Sequence, residues 1–429
     1  MATSDICKLH LQTIAPGGNA LGRIEGKPVF VEGGAPDETV VCRITEDHNT
    51  WARAELLEIH EPSPARVNAV CEFYGKCGGC NLQHIDYEAQ LKIKANILKD
   101  TFLRIGAAPA GCAAPAGCGV LSPEPALLTE LPAEVYPSQP WEYRNRMQFH
   151  CFRERVSGKK RSSYSIPLKE TKASFGLMGS GEIVSVTDCP IAVPPIREIL
   201  RNEGKGITLP PEKDRFTVFS KDGIFLHEGG RQRGKIKLLD REIALDAGMF
   251  FQSNCAMLEK LILELRKTAE TADRNLPMAD FYCGVGTFAL FLGDLFAHFV
   301  LAEENKNAVS LARENLRGFS TEFFALRDSE WPKTIFKEQR AGKREQKEGL
   351  FGFAVVDPPR SGLAPKLAAA LAKDGPPVLA YVSCDAASLA RDSKLLTYGG
   401  YKLNKLTLFD FYPQTAHVES LAVFIRLGW

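Results

Sequence analysis

The sequence predicts a multidomain α/β chain with a small antiparallel β-barrel, a central β-rich domain and a C-terminal doubly wound α/β domain. Three observations predict it. With 429 residues the chain exceeds one ordinary core, so about two or three domains are expected. Residues 8 to 60 alternate apolar and polar side chains between glycine turns. From Phe250 onward, helical patterns alternate with apolar strands.

The barrel, residues 1–62, rests on the runs Lys8–Leu11, Pro28–Val31, Thr39–Ile44 and Ala54–Leu57. Short strands at this spacing fit an OB-type barrel, which can bind RNA or serve as a structural or partner-binding unit. The central part, residues 63–248, opens with a cysteine-rich stretch, Arg66 to Asp86. Helical periodicity follows over about 87–105, a helix expected to pack on the C-terminal domain. The Ala/Pro/Gly segment 107–126 reads as a flexible insertion whose Cys112 and Cys118 are incidental. From Tyr136 to Leu245 the pattern is strand-rich again, with a hairpin signal at Gly179-Ser180-Gly181. In residues 249–429 the expected strands are Met278–Tyr282, His298–Glu303, Phe353–Asp357, Val378–Ser383, Tyr401–Leu408 and Ser420–Leu427. Helices are expected between most of them, as at Ala308–Leu316 and Pro365–Lys373. No repeat of solenoid period is present.

Composition excludes some classes. Apolar content of 45% with 24% charged residues fits a soluble globular protein. No membrane-spanning run or signal-peptide core is seen, so a cytoplasmic enzyme, monomeric by default, is expected. A net charge of +1 does not announce a nucleic-acid binder. Two basic clusters, Arg153-Arg155-Lys159-Lys160-Arg161 and Arg231-Arg233-Lys235-Lys237, read as solvated faces or as phosphate contacts. Twelve cysteines are too unevenly placed for a disulfide framework.

Five constellations carry chemistry. In Asp280-Phe281-Tyr282-Cys283-Gly284-Val285-Gly286-Thr287-Phe288 a strand runs through a glycine turn into a helix, where the backbone can approach a bound nucleoside. Glu303 ends the next strand about 20 residues on, positioned to accept hydrogen bonds from ribose hydroxyls. Together they favour an adenosine-type cofactor over a mere turn of packing glycines. Asp357-Pro358-Pro359-Arg360 forms a stiff loop, either a wall beside a flat base or an ordinary exposed turn. Cys384 ends a strand at the edge where open α/β sheets bind ligands, as a nucleophile or as a small buried hydrophobe. His417 and Glu419, in the segment Phe409 to Glu419, offer an acid–base pair. Finally, Cys71-x5-Cys77-x2-Cys80 with the distant Cys189 suits a four-thiolate site, for which zinc and an iron–sulfur cluster both fit by count.

In this order the strings FYCGVGTF, DPPRSGL, VSCD and FYPQTAHVES resemble the RNA 5-methyluridine methyltransferases, the tRNA and 23S rRNA (uracil-5-)-methyltransferases, over nearly the whole chain. The resemblance implies a Rossmann-like S-adenosylmethionine-dependent domain behind an N-terminal TRAM barrel. It implies that Cys71, Cys77, Cys80 and Cys189 are the [4Fe–4S] ligands of the rRNA-modifying branch, with zinc as the alternative. It further implies cofactor contacts from Gln252, Tyr282, Glu303 and Asp328, and a pocket wall shared by cofactor and base at Asp357. Cys384 matches the nucleophile and Glu419 the proton-abstracting base. An RNA substrate, rRNA before tRNA, follows. Two departures stand out. Ala386 occupies a position where the family usually has proline, and Glu303 is followed by a second acid, Glu304.

The chemistry explains the residue types. Carbon 5 of uracil is too weak a nucleophile until a thiolate adds to carbon 6, and a base must then remove the carbon 5 proton. The uridine must be unstacked to reach such a pocket, with Phe411 and Tyr412 as stacking candidates or as core residues. A 5-methylcytosine enzyme would carry a second cysteine in a Pro-Cys motif where this chain has Asp357-Pro358-Pro359. An amino-group methyltransferase would lack Cys384. A catalytically decayed RNA-binding protein is disfavoured by the joint presence of Cys384, Glu419 and the glycine loop.

Overall fold

The computed structural model describes residues 5–106, 134–153, 173–179, 182–202, 204, 207, 215–342 and 350–428. The 107–126 segment with Cys112 and Cys118, the basic run from Arg155 to Arg161, and Ser180 with Gly181 lie outside the described residues.

Five strands form the N-terminal barrel: β1 (Ile6–Ile14), β2 (Ala20–Ile24), β3 (Lys27–Val31), β4 (Thr39–Asp47) and β5 (Ala52–Glu61). They close in the order β1-β2-β3-β5-β4. Period-two alternation turns Leu9, Leu11, Val29, Val31, Val40, Cys42 and Ile44 inward. The barrel expected to be antiparallel contains one parallel pair, β3 with β5. Closure requires it, because β5 pairs antiparallel with β4 and then meets β3 as the remaining open edge.

Helix α1 (Tyr87–Thr101) is capped by Asp86, whose side chain accepts from the Glu88 amide at 2.9 Å. Its last turn passes into a π-helical turn at Phe102–Gly106. The central sheet runs β11-β10-β7-β8-β9, from β7 (Arg146–Arg153), β8 (Ala173–Met178), β9 (Ile183–Ser185), β10 (Arg215–Lys221) and β11 (Ile224–His227). Helix α2 (Pro194–Arg201) packs beside it, burying Ile196 and Leu200.

Two pieces of the stretch read as central belong structurally to the C-terminal core. Strand β6 (Glu134–Tyr136) adds in parallel to the edge of the C-terminal sheet. The hairpin β12 (Arg233–Leu238) and β13 (Arg241–Asp246) buries Ile236, Leu238, Ile243 and Leu245 in the same apolar cluster as the following helix. Its Arg231, Arg233, Lys235 and Lys237 are exposed, the solvated-face reading of that cluster.

The C-terminal sheet has eight strands in the order β16-β15-β14-β17-β18-β20-β19-β6. They are β14 (Met278–Phe281), β15 (Phe299–Ala302), β16 (Thr321–Phe324), β17 (Phe353–Val356), β18 (Val378–Ser383), β19 (Tyr401–Phe409) and β20 (Glu419–Arg426), together with β6. Helices α3 (Cys255–Ala269), α4 (Thr287–Phe291), α5 (Lys306–Asn315), α6 (Trp331–Gly342), α7 (Pro365–Asp374) and α8 (Ala386–Tyr398) connect and cover them. Strands β14, β15, β17 and β18 are buried along their whole length, as a sheet covered on both faces requires. Strand β16 was not expected from the sequence. It is a half-buried four-residue strand, paired only with β15, and too short to present a periodicity. Among the described residues no helix is long and apolar enough to cross a membrane.

Candidate active site and cysteine cavity

The carboxyl ends of β14, β15, β17 and β18 and the amino end of β20 share one edge of the sheet. The register makes this explicit: Phe281 pairs with Ala302 and Val356, Val356 with Tyr381, and Ser383 with Ser420. Tyr282, Glu303, Asp357, Cys384 and Glu419 therefore line up along one rim, each at or next to a strand end. Asp328 joins them from the turn after β16.

On the glycine side, Gly284 (φ +54°) and Gly286 (φ +79°) take left-handed backbone conformations that disfavour other residues. A Cβ on Gly286 would stand 3.1 Å from Leu316 and 3.2 Å from Ala312. Tyr282 is left-handed as well (φ +62°), a strained state for a bulky side chain. Its hydroxyl donates to Asp328 at 3.2 Å and accepts from the Ala364 amide at 3.3 Å. Glu303 accepts from the Gly284 amide at 3.1 Å and the Asn305 amide at 2.8 Å. Each of its oxygens keeps a lone pair for a ligand hydroxyl. Glu304 is exposed and makes no such bond, so Glu303 is the acid turned toward the loop. Gln252 is buried, and its amide oxygen has no hydrogen-bond partner. A buried acceptor without a partner fits a ligand that donates. Asp280, not singled out from the sequence, is buried and accepts from the Ala289 amide at 3.2 Å. Burial pushes its carboxyl up to about 8, so it braces the loop as a neutral acid.

Cys384 follows β18 and immediately precedes Asp385, the N-cap of α8. Asp385 accepts from the Ser388 amide at 2.7 Å, and Ser383 donates from its hydroxyl to the Asp385 carbonyl at 2.9 Å. With Ala386 at the proline position, this capping network holds the turn. Burial pushes the Cys384 thiol up to about 12, the charges of Glu419 and Asp357 adding to it and Arg360 opposing it. Burial also drives Glu419 well above its usual range, again with Asp357 adding and Arg360 opposing. Asp357 is pushed up to about 7 by burial.

The segment between β19 and β20 is fastened from several sides. Lys94 of α1 forms a fully buried ion pair with Asp410 and donates to the Tyr412 carbonyl at 2.8 Å. Tyr87 donates to Asp410 at 2.7 Å, and Tyr143 to the Pro413 carbonyl at 3.0 Å. Gln414, left-handed at φ +67°, exchanges two hydrogen bonds with Gln90, at 2.9 and 3.0 Å. None of these partners was foreseen. His417, expected to pair with Glu419, is exposed and stacks edge-on against Tyr412 at 5.8 Å. Its ring is partly covered although the residue as a whole is exposed, and desolvation, then Arg360, Lys94 and Arg144, lower its pKa to about 4. Phe411 is 1% exposed and belongs to the core, which leaves Tyr412 as the aromatic beside Cys384 and Glu419.

Cys71, Cys77, Cys80 and Cys189 line one cavity of about 140 Å³, walled by Phe73, Met147, Leu177, Val186 and Ile191 with Arg144 at its side. The Gly79 amide points at the Cys77 sulfur at 3.4 Å. Burial raises all four thiols, Cys80 to about 11 and Cys189 to about 12. Among the described residues no three His, Cys, Asp or Glu side chains converge closely enough to hold a single metal ion.

Comparison with known proteins adds a second line of evidence. A family model described as tRNA (Uracil-5-)-methyltransferase matches residues 232–427, and a TRAM domain model matches residues 11–57. An uncharacterized RNA methyltransferase of Treponema denticola is 33% identical over 414 residues, covering 93% of this chain and 94% of its own. A 23S rRNA (uracil(1939)-C(5))-methyltransferase of Shewanella sediminis is 28% identical, with 95% and 93% covered. The crystal structure of Pyrococcus abyssi tRNA (uracil-54, C5)-methyltransferase in complex with S-adenosyl-L-homocysteine superposes with a TM-score of 0.67 at 21% identity, covering 98% of this chain and all of that one. At that identity the likeness establishes the fold, barrel and sheet together.

Proposed function

The chain belongs to the RNA (uracil-5-)-methyltransferase family, and from that premise we propose that Cys384 and Glu419 carry out S-adenosylmethionine-dependent methylation of uridine carbon 5 in RNA. The observation that carries the reading is the register Ser383↔Ser420, which makes Cys384 and Glu419 neighbours on the rim that also holds the glycine loop.

The thiolate of Cys384 adds to carbon 6 of the unstacked base. The electrons of the carbon 5–carbon 6 double bond shift toward the carbonyl at carbon 4, leaving an enolate with a nucleophilic carbon 5. Asp357, raised to about 7, is partly protonated at neutral pH and can donate to that developing oxygen charge. Burial keeps Cys384 a thiol at rest, with the Arg360 cation opposing it, so the thiol gives its proton to solvent as the sulfur adds. S-Adenosylmethionine, when bound, supplies an electrophilic methyl group to carbon 5, and Gln252, Tyr282, Glu303 and Asp328 are the residues that would hold it. Glu419 then takes the carbon 5 proton. The electrons of that C–H bond rebuild the double bond, and the Cys384 sulfur leaves carbon 6 with its pair. Desolvation makes Glu419 a stronger base, which abstraction from carbon requires. Tyr412 offers the aromatic face against which the base rests.

We further propose 23S rRNA, before tRNA, as the substrate, supported by end-to-end similarity to the Shewanella sediminis enzyme and by the four cysteines. For Cys71, Cys77, Cys80 and Cys189 we propose a [4Fe–4S] cluster. The support is that the four thiols line one cavity with mostly apolar walls, together with the resemblance to the rRNA-modifying branch. Iron and sulfide analysis with a visible spectrum decides between cluster and zinc.

The test is direct. Protein purified without air is incubated with cofactor and unmodified rRNA or tRNA, and the digested nucleosides are weighed. We expect 5-methyluridine in rRNA with the natural chain and none with Cys384→Ala. Absence of 5-methyluridine from every RNA while the cofactor still binds overturns the assignment.

A further inference from the structure

The residue after Cys80 reaches into the catalytic loop. The backbone amides of Asn81 and Leu82 both donate to the carbonyl of Gln414, at 3.1 and 3.0 Å. The Asn81 side-chain oxygen accepts from the amide of Ala416 at 2.9 Å. Its side-chain nitrogen donates to the carbonyl of Gly17 in the barrel at 2.8 Å. Gly18 makes that approach possible, since a Cβ there would fall 2.3 Å from the Asn81 amide nitrogen. One asparagine therefore joins the barrel, the cysteine segment and the loop that ends at Glu419.

We propose that Asn81 is a positioning residue through which the four-cysteine site sets the position of Glu419, and hence the rate of proton removal from carbon 5. The inference rests on the reading of Cys384 as nucleophile and Glu419 as base. Gln414 holds a left-handed backbone that glycine or asparagine would favour, so its partners must maintain it. Those partners are Gln90 on one side and the Asn81–Leu82 amides on the other. Ala416 lies two residues further along and Glu419 three beyond that. With Cys80 fixed, Asn81 is fixed; with the cysteine segment loose, three hydrogen bonds to the loop go with it.

Cys384 is insulated from the same disturbance. Its turn is held by Ser383, Asp385 and Ser388, all within the C-terminal domain. Loosening the cysteine site is therefore selective. Addition to carbon 6 and uptake of the methyl continue. The step that slows is the one in which Glu419 takes the proton, the C–H electrons form the double bond and the Cys384 sulfur departs. A displacement of about 1 Å can slow a step by about 100-fold. The covalent protein–RNA adduct then accumulates.

The test compares the full-length natural chain, Asn81→Ala and Asn81→Asp, the last keeping the acceptor for the Ala416 amide. One readout is amide hydrogen exchange in a peptide spanning 414–419; the other is protein–RNA adduct resistant to denaturation during a single turnover. For Asn81→Ala we expect faster exchange in that peptide and about tenfold more adduct, corresponding to ~1.4 kcal/mol on the elimination step, with both effects partly reversed in Asn81→Asp. Natural protein oxidised and treated with an iron chelator should behave like Asn81→Ala, which keeps the inference testable if the variant folds poorly. Unchanged exchange and adduct in both overturn it. Glu419→Gln separates the two readings: it should trap adduct whatever residue 81 is. If it traps none, the base assignment fails, and the exchange data alone judge the coupling.

Discussion

Arg360 stands exposed at the end of Asp357-Pro358-Pro359, and its charge opposes the forces that keep both Cys384 and Glu419 protonated. In the proposed mechanism both groups must ionise for turnover, so removing the cation should shift the rate toward higher pH. Arg360→Ala should slow adduct formation at pH 7 by about three- to tenfold, an exposed charge being screened, with the rate profile displaced to higher pH. Arg360→Lys should retain most of the rate. Superimposable pH profiles of Arg360→Ala and the natural chain would show that Arg360 does not tune the site. At this scale the sequence was legible in part. The strings around Cys384 and Glu419 singled out both as candidates, and the register brings them together, but nothing in the strings distinguished Glu303 from Glu304. The Gly284 amide did that, by donating to the Glu303 carboxylate and leaving Glu304 exposed.

Helix α1 and the segment between β19 and β20 are joined by a cation and an anion that are each 0% exposed, Lys94 and Asp410. A buried pair adds little over an apolar one, but breaking it strands a charge. Lys94→Met should therefore lower stability by about 3–5 kcal/mol, read as a shift in urea midpoint. Lys94→Met with Asp410→Leu should recover much of the loss; a double variant no better than the single would show that the ion pair itself is the stabilising element. The sequence could not announce this contact. A lysine in an amphipathic helix is expected at the surface, and its partner lies 316 residues away. The elements themselves were legible, because period and capping are local. Strand β16 escaped because four half-buried residues carry no period.

Across the whole molecule, the barrel is clamped to the cysteine segment by Glu38, which is 0% exposed and accepts from Arg66 at 2.9 Å, the Ala35 amide at 2.8 Å and the Ser63 amide at 3.3 Å. Burial pushes this carboxyl up, but Arg66 and the amides outweigh it and hold it below the usual 4.5. Its contribution is thus complete above that value and is lost as pH falls through the lowered one. The natural chain should lose more stability than Glu38→Gln between pH 6 and pH 3, measured by urea unfolding; equal losses would remove Glu38 from the account. What the sequence by itself determined is the succession of barrel, sheets and motifs, since hydrophobic period, glycine turns and strand-end residue types are local properties. What only the tertiary structure decided is which distant residues meet: the register that makes Cys384 and Glu419 neighbours, the cavity shared by four cysteines, and the hydrogen bonds of Asn81 and Gln90 to Gln414. Such pairings depend on strand register and helix docking, which are settled by burying apolar surface over the whole molecule, and no short window of sequence encodes that.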